Sequence, residues 1–178
     1  MARSDTKARI QAVARDLFMK QGVAKTSLRE IADALEITKP ALYYHFASRE
    51  DLVRSIVQPL IDDMESFLAE REPLPPPAAR ALVEDYFDLI HRHRAIIVMM
   101  VRDLSTLDYL DLGTRMFEWR RRLMVMLLGP DPTLSAQVRG VVAIGGMSDC
   151  TVEFAHLPVA EVRPLAVEAA CSTLGIPY

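Results

Sequence analysis

The sequence predicts an all-α protein, and three observations carry that prediction. Apolar residues recur at helical spacing along most of the chain, as they do between Ile10 and Phe18. The hydrophobic share is 51% and the aromatic share only 7%, with abundant Ala and Leu, a composition that suits packed helices. No credible pair of strands and no repeat is visible. We expect about nine helices, in a three-helix N-terminal domain at residues 1–48 and a larger helical domain at residues 49–178.

Local signals define the first two helices. The apolar stripe over residues 10–18 predicts an amphipathic helix of about four turns. Gly22 follows it, where a glycine commonly ends a helix. Ser27 and Glu30 are three residues apart and predict a capping box at the start of a second, short helix.

A third helix is predicted over residues 39–46. Thr38 is its expected N-cap, and Pro40 lies in the first turn, where a missing N–H costs little. Leu42 and Phe46 are four residues apart and can face inward together. That orientation leaves Lys39, Tyr43 and His45 on or near the outer side of the helix.

The larger domain begins with a long helix. Ser48 and Asp51 resemble a capping box at its start, and the apolar pattern continues over residues 49–70. Pro59 lies inside this stretch, so we expect a bend there. A proline-rich linker follows at residues 73–77. The remaining helices are predicted at residues 78–91, 95–105, 111–128, 133–155 and 162–174.

Two short helices joined by a tight turn form a helix-turn-helix, in which the second helix offers its N-terminal end to the DNA major groove. The residues that carry this motif here are TSLREIA at 26–32, TKPALYYHF at 38–46 and REDL at 49–52. This set resembles the TetR family of transcriptional regulators. The sequence resemblance covers the first third of the chain, and beyond it only the helical layout and the length match.

The resemblance implies a set of DNA contacts. Residues at the start of the second helix are implied to contact DNA phosphates, and residues in the first turn of the third helix to face the bases. Residues near the end of the third helix are implied to bind the DNA backbone. Tyr44 is expected to pack partly under the motif. Glu36 stands where relatives often have glycine, so we expect a mildly strained backbone there. The implied DNA-binding residues are Thr26, Ser27, Arg29, Thr38, Lys39, Pro40, Ala41, Tyr43, His45 and Arg49.

The resemblance also implies a ligand chamber in the body and pairing of two chains through the last two helices. Small residues in those helices, such as Gly145, Gly146 and Ala169, suit close approach between helices. Methionine and aromatic side chains suit an adaptable apolar pocket, although plain core remains the alternative for each. The candidate pocket residues are Leu60, Met64, Phe67, Tyr86, Ile90, Met100, Met116, Trp119 and Met147.

Charge and cysteine usage bound the function further. Residues 1–54 hold ten Lys/Arg and seven Asp/Glu, whereas the rest of the chain is acidic. A polyanion is therefore expected to bind the N-terminal part of the chain. Two cysteines without a spacing pattern favour a reduced, cytoplasmic location. No apolar run is long enough for a membrane span.

We expect no metal-binding or catalytic role for the other polar clusters. His91 and His93 lie two apart on a helix, facing different ways, so a metal site is not expected. Arg120, Arg121 and Arg122 are expected on one solvated, partly paired face. The acidic residues Asp62, Asp63, Asp85 and Asp88 are also expected on solvated faces.

The sequence therefore predicts a repressor that binds a palindromic DNA operator as a homodimer and is released by a small, largely apolar effector. No cofactor is expected. A DNA-binding regulator without an inducer, constitutive or dependent on a corepressor, is the alternative. An all-helical enzyme is the more distant alternative, because no nucleophile elbow, metal spacing or phosphate loop is visible.

Overall fold

A computed structural model describes residues 3–72, 79–104, 106 and 111–177. Over those residues the chain forms nine helices and no strand, which confirms the predicted all-α class. The helices are α1 (Arg3–Gln21), α2 (Leu28–Ala34), α3 (Lys39–His45), α4 (Arg49–Arg71), α5 (Ala79–Arg92), α6 (Arg94–Arg102), α7 (Leu112–Leu128), α8 (Leu134–Glu153) and α9 (Val159–Leu174).

The observed helix bounds follow the predicted ones closely, with three clear differences. Helix α1 begins well before its apolar stripe, and α6 ends at Arg102, three residues before its predicted end. Helix α9 begins three residues earlier than predicted, directly after Pro158. Proline suits the start of a helix because it needs no amide partner there. Pro59 lies inside α4, which continues through it. The predicted linker at 73–77 lies outside the described residues.

Side-chain caps begin the short helices, as the sequence indicates. The Ser27 hydroxyl accepts from the backbone N–H of Glu30, while the Glu30 carboxylate accepts from the N–H of Ser27 at 2.7 Å. Thr38 accepts from the N–H of Ala41 at 3.3 Å. Each cap satisfies amides that have no partner inside the helix, so these bonds set where α2 and α3 begin.

The chain divides into two compact units. The first combines residues 1–61 with 95–114, and the second combines 62–94 with 115–178. Helix α4 therefore contributes to both units. The domain boundary predicted at residue 48 stays a prediction. Among the described residues, no helix combines the length and the apolar character that crossing a membrane requires.

Each unit has its own apolar core. In the first unit, α1, α2 and α3 pack together around side chains with almost no exposure, namely Ile10, Ala14, Phe18, Ile31, Leu42 and Phe46. In the second unit, α8 packs along α9, and α5 packs against both. Its buried side chains include Phe87, Ile144 and Val167.

The backbone between α2 and α3 carries the strain that the sequence predicts. Glu36 has a φ of 55°, in the left-handed region that glycine adopts freely and residues with a Cβ do not. Its N–H donates to the carbonyl of Asp33 at 3.1 Å, and the N–H of Ile37 donates to Ala32 at 3.0 Å. These bonds hold Glu36 in the turn despite the steric cost.

Replacing Glu36 by glycine should therefore stabilise the protein. Relief of the left-handed strain outweighs the extra freedom of glycine in the unfolded chain, and we expect a gain of about 0.5–1 kcal/mol in the free energy of unfolding. Urea unfolding followed by circular dichroism measures it. Glu36→Ala, which removes the charge but keeps a Cβ, is the control and should bring no gain. A Glu36→Gly midpoint at or below that of Glu36→Ala would contradict the argument.

Candidate nucleic-acid interface

Helix α3 presents a polar, exposed face because its two apolar residues are buried. Leu42 and Phe46, one turn apart, have essentially no exposed surface. The first turn of the helix, in contrast, is exposed at Lys39, Pro40 and Ala41. The first turn of α3 therefore points into solvent, which is the orientation that the sequence predicts.

The outer side of α3 also carries a cation and two aromatic rings. The Lys39 ammonium lies 5.5 Å from the ring centroid of Tyr43, which is 43% exposed. His45 is partly exposed and meets the Tyr44 ring edge-on, with 5.4 Å between ring centroids. The prediction that Tyr44 packs under the motif is wrong, since 66% of it is exposed. Tyr44 comes two residues after Leu42, which is slightly more than half a helical turn. Its side chain therefore points away from that of Leu42.

An open cleft lies between α3 and the starts of α2 and α4. Its volume is about 390 Å³. The lining includes two hydroxyls, from Ser27 and Ser48, together with Arg29, Lys39 and Tyr43. Hydroxyl, amide, guanidinium and ammonium groups are the donors that bind DNA phosphates. The structure thus brings most of the residues predicted from the sequence to one concave surface.

Thr26 is an exception within the predicted set. It is only 1% exposed, and its hydroxyl donates to the carbonyl of Gly22 at 2.8 Å while accepting from the Gln21 amide at 3.2 Å. The predicted phosphate contact of Thr26 is therefore corrected. Its hydroxyl stabilises the turn before α2, because a buried hydroxyl must find partners inside the protein.

Arg49, at the start of α4, also bonds to this turn. Its guanidinium donates to the carbonyls of Val23 and Ala24, at 3.3 and 2.9 Å. A second nitrogen lies 3.7 Å from the Glu50 carboxylate. Its side chain remains one-third exposed. The predicted phosphate contact of Arg49 stays a prediction, and its visible role is to hold the turn between α1 and α2.

These features define a helix-turn-helix protein with a helical body. Residues 10–56 match the family described as bacterial regulatory proteins, tetR family. The transcriptional repressor KstR2 of Rhodococcus jostii is 40% identical over 52 residues, which are 29% of this chain and 26% of KstR2. The transcriptional activator FasR of Mycolicibacterium smegmatis is 30% identical over 98 residues, 51% of this chain and 42% of FasR.

The likeness in fold extends much further than the likeness in sequence. A crystal structure of a transcriptional regulator from Aquifex aeolicus matches with a TM-score of 0.69 at 22% identity, covering 97% of this chain and 99% of that one. Almost the whole chain therefore shares the fold of that regulator, and its residues 10–56 resemble the DNA-binding part of the tetR family. The sequence matches, in contrast, span about a quarter of KstR2 and less than half of FasR.

Most of the predicted effector-pocket residues are buried, and they fall in both units. Leu60 and Met100 belong to the first unit. Met116 is the exception, because 43% of its surface is exposed, and its role as a pocket residue stays a prediction. The second unit holds Met64, Phe67, Tyr86, Ile90, Trp119 and Met147, all buried.

Trp119 uses its polar group within the protein. Its indole N–H donates to the Glu65 carboxylate at 2.8 Å, and Arg122 donates to the other oxygen of Glu65 at 2.8 Å. Arg122 also forms a two-pronged pair with Glu72, at 2.7 and 2.9 Å. The prediction that Arg122 lies on a solvated face is thus wrong: its side chain is four-fifths buried and ties α7 to α4.

The histidines and acidic residues of the second unit form specific contacts that periodicity does not reveal. His93, directly after α5, is buried and lies 2.8 Å from Asp63, whose other partner is Arg92 at 3.0 Å. His91 instead stacks on the Phe87 ring. The predicted solvated acidic faces are partly exposed but paired, as in the bonds of Asp85 to Arg71 and of Asp88 to Arg163.

Acid should weaken the second unit through Glu65. The indole hydrogen bond from Trp119, followed by Arg122, holds the pKa of Glu65 below its ordinary value, against an opposing effect of burial. A carboxylate with a lowered folded-state pKa stabilises the fold above its unfolded pKa, and this contribution disappears as the pH falls through the folded pKa. The free energy of unfolding should therefore decline as the pH falls below about 5.

Glu65→Gln isolates this effect because it keeps an oxygen acceptor for Trp119 and removes the titrating charge. Its free energy of unfolding, measured by urea titration at each pH, should fall less over this range than that of the wild type. Glu153→Gln, an exposed change in the same unit, should retain the wild-type profile. Parallel profiles for wild type and Glu65→Gln would show that Glu65 does not carry the effect.

Proposed function

We propose that the chain represses transcription by binding a palindromic DNA operator as a homodimer, and that a small, largely apolar effector releases it. The observation that carries this proposal is the exposed first turn of α3, next to a cleft lined with phosphate-binding donors. An α-helix presented in this way fits the major groove. A cytoplasmic location, where the chain would meet DNA, forms part of the proposal.

Few side chains would recognise the base sequence of the operator. Lys39 can donate to the O6 and N7 of guanine, and the methyl group of Ala41 can contact thymine. Tyr43 and Ser27 would bind backbone phosphates, which position a protein on DNA without reading its sequence. Both kinds of group are exposed on the same side of the first unit.

The direct test is selection of duplexes from a random-sequence pool by the purified full-length chain. We expect an enriched motif with two-fold symmetry whose half-sites are about one helical turn, 34–36 Å, apart. The selected duplex then serves as the probe in mobility-shift assays over a range of salt concentrations. A pool that shows no enrichment at low salt would contradict the proposal.

Homodimer formation is supported by an exposed apolar stripe on α8. Leu134, Val138, Val141 and Val142 follow helical spacing and are all exposed, and Gly145 continues the stripe with open space around its Cα. Leu165 on α9 is also largely exposed. Apolar surface of this kind marks interaction sites, and paired α8 and α9 helices from two chains would form a four-helix interface.

An effector would bind in the second unit. Phe67 and Tyr86 have ring centroids 6.4 Å apart, and the buried Tyr86 hydroxyl has a marginal 3.5 Å contact with Ser148. These groups, with Met64 and Met147, suit an apolar ligand. Helix α4 contributes residues to both units. A ligand that binds more tightly to one position of α4 would therefore change the spacing between the two α3 helices of the dimer.

The alternative regulator, constitutive or dependent on a corepressor, differs in its response to small molecules. The selected duplex would then stay bound in the presence of every compound tried, or bind only when a compound is added. The relatives in sequence differ in this respect, since KstR2 is named a repressor and FasR an activator. Reporter expression from a promoter overlapping the selected site distinguishes repression from activation.

Lys39→Ala and Tyr43→Ala should affect DNA binding differently. Loss of Lys39 should cost about 1–3 kcal/mol on the selected duplex and relax selectivity at one base position in each half-site. Loss of Tyr43 should weaken selected and scrambled duplexes about equally, because it removes a phosphate contact. Fluorescence anisotropy on both duplexes measures this. Unchanged selectivity in Lys39→Ala would remove Lys39 as a base-reading residue.

Val142→Asp should disrupt the homodimer. An aspartate within an apolar interface loses its hydration without gaining a partner, so self-association should weaken by at least about a hundredfold. Sedimentation equilibrium measures the dissociation constant. Val125→Asp is the matched control, since Val125 is an exposed valine on α7, outside the stripe. A Val142→Asp chain that remains as dimeric as Val125→Asp would contradict the proposed interface.

A further inference from the structure

The turn between α1 and α2 receives hydrogen bonds from side chains far away in the sequence. Helix α1 ends at Gly22, whose φ is 87° and whose N–H donates to the carbonyl of Phe18 at 2.9 Å. This is the simpler left-handed ending of a helix, which leaves the next amide without a partner in the helix. That amide belongs to Val23, whose side chain is fully buried.

Asp103 supplies the missing partner. It follows α6 directly, and its carboxylate accepts from the N–H of Val23 at 2.7 Å, across 80 residues of sequence. The approach is close enough that a Cβ on Gly22 would come within 3.2 Å of the same carboxylate oxygen. Arg102, one residue earlier, donates to the carbonyl of Met19 at 3.4 Å. The end of α6 is thus bonded to the end of α1 at two points.

Several other polar groups of the turn have hydrogen-bond partners as well. Arg49 donates to the carbonyls of Val23 and Ala24, and Thr26 donates to the carbonyl of Gly22. The turn is therefore held from one side by Arg49 of α4 and from the other by Asp103. Ser27, the N-cap of α2, and Arg29 follow immediately and line the candidate DNA cleft.

We propose that Asp103 is a positioning residue for DNA binding, which fixes the turn between α1 and α2 so that the start of α2 can meet DNA phosphates. Asp103 acts through the Val23 amide and does not touch DNA itself. This inference rests on the proposed function. The negative charge of Asp103 makes the positioning role testable. Removing a carboxylate from a DNA-binding protein should strengthen DNA binding by electrostatics alone, whereas losing a positioning residue should weaken it.

The first arm of the test uses the full-length protein without DNA. Residue-resolved amide hydrogen exchange should show Val23 protected in the wild type, at least about tenfold less protected in Asp103→Ala, and largely protected again in Asp103→Asn, whose amide oxygen can still accept. Unchanged protection of Val23 in Asp103→Ala would overturn the assignment. This arm gives an answer whether or not the chain binds DNA.

The second arm measures affinity for the duplex selected by the wild type. Asp103→Ala should bind about tenfold more weakly and show a shallower dependence of affinity on salt, because phosphate contacts at α2 are lost. Asp103→Asn should recover most of the affinity. Asp131→Ala, an exposed change of the same charge, should bind at least as tightly as the wild type.

The outcomes separate the two proposals. Asp103→Ala binding as tightly as Asp131→Ala, with an unchanged salt slope, would overturn the positioning role even though DNA binding stands. A wild-type chain that selects no duplex would contradict the proposed function, while Val23 exchange would still decide whether Asp103 holds the turn. Circular dichroism at the assay temperature confirms that each variant is folded.

Discussion

The burial of Leu42 and Phe46 determines what the first unit can do. Helix α3 has only seven residues, so two inward anchors one turn apart leave no freedom in which side faces solvent. Their burial against α1 and α2 turns Lys39, Pro40 and Ala41 outward. Without that packing, a helix this short would not be stable in water, and its polar groups would have no defined direction.

The local part of this arrangement is readable from the sequence. Ser27, Thr38 and Glu36 each act on the backbone within a few residues, as caps for two helices and as a strained turn residue. Helical spacing likewise identifies Leu42 and Phe46 as inward. These effects depend on short-range geometry, so most of the helix bounds, the helix-turn-helix and the exposed side of α3 could be predicted before the structure.

Contacts between distant segments could not be predicted in this way. Nothing near Asp103 in the sequence indicates that it accepts a hydrogen bond from Val23. Likewise, nothing near Arg122 indicates its two partners, Glu65 on α4 and Glu72 directly after it. The burial of Thr26 and the exposure of Met116 have the same origin. Each depends on which distant segments of the chain meet in the fold, and helical periodicity does not specify that.

The network around Glu65 has an optical consequence. Trp119 is the single tryptophan of the sequence, and it is buried in the second unit with its indole N–H bonded to a carboxylate. Its emission wavelength and intensity depend on that carboxylate and on local solvent access. The chain thus carries a native fluorescent reporter of its second unit, whose signal originates apart from the side chains of α3.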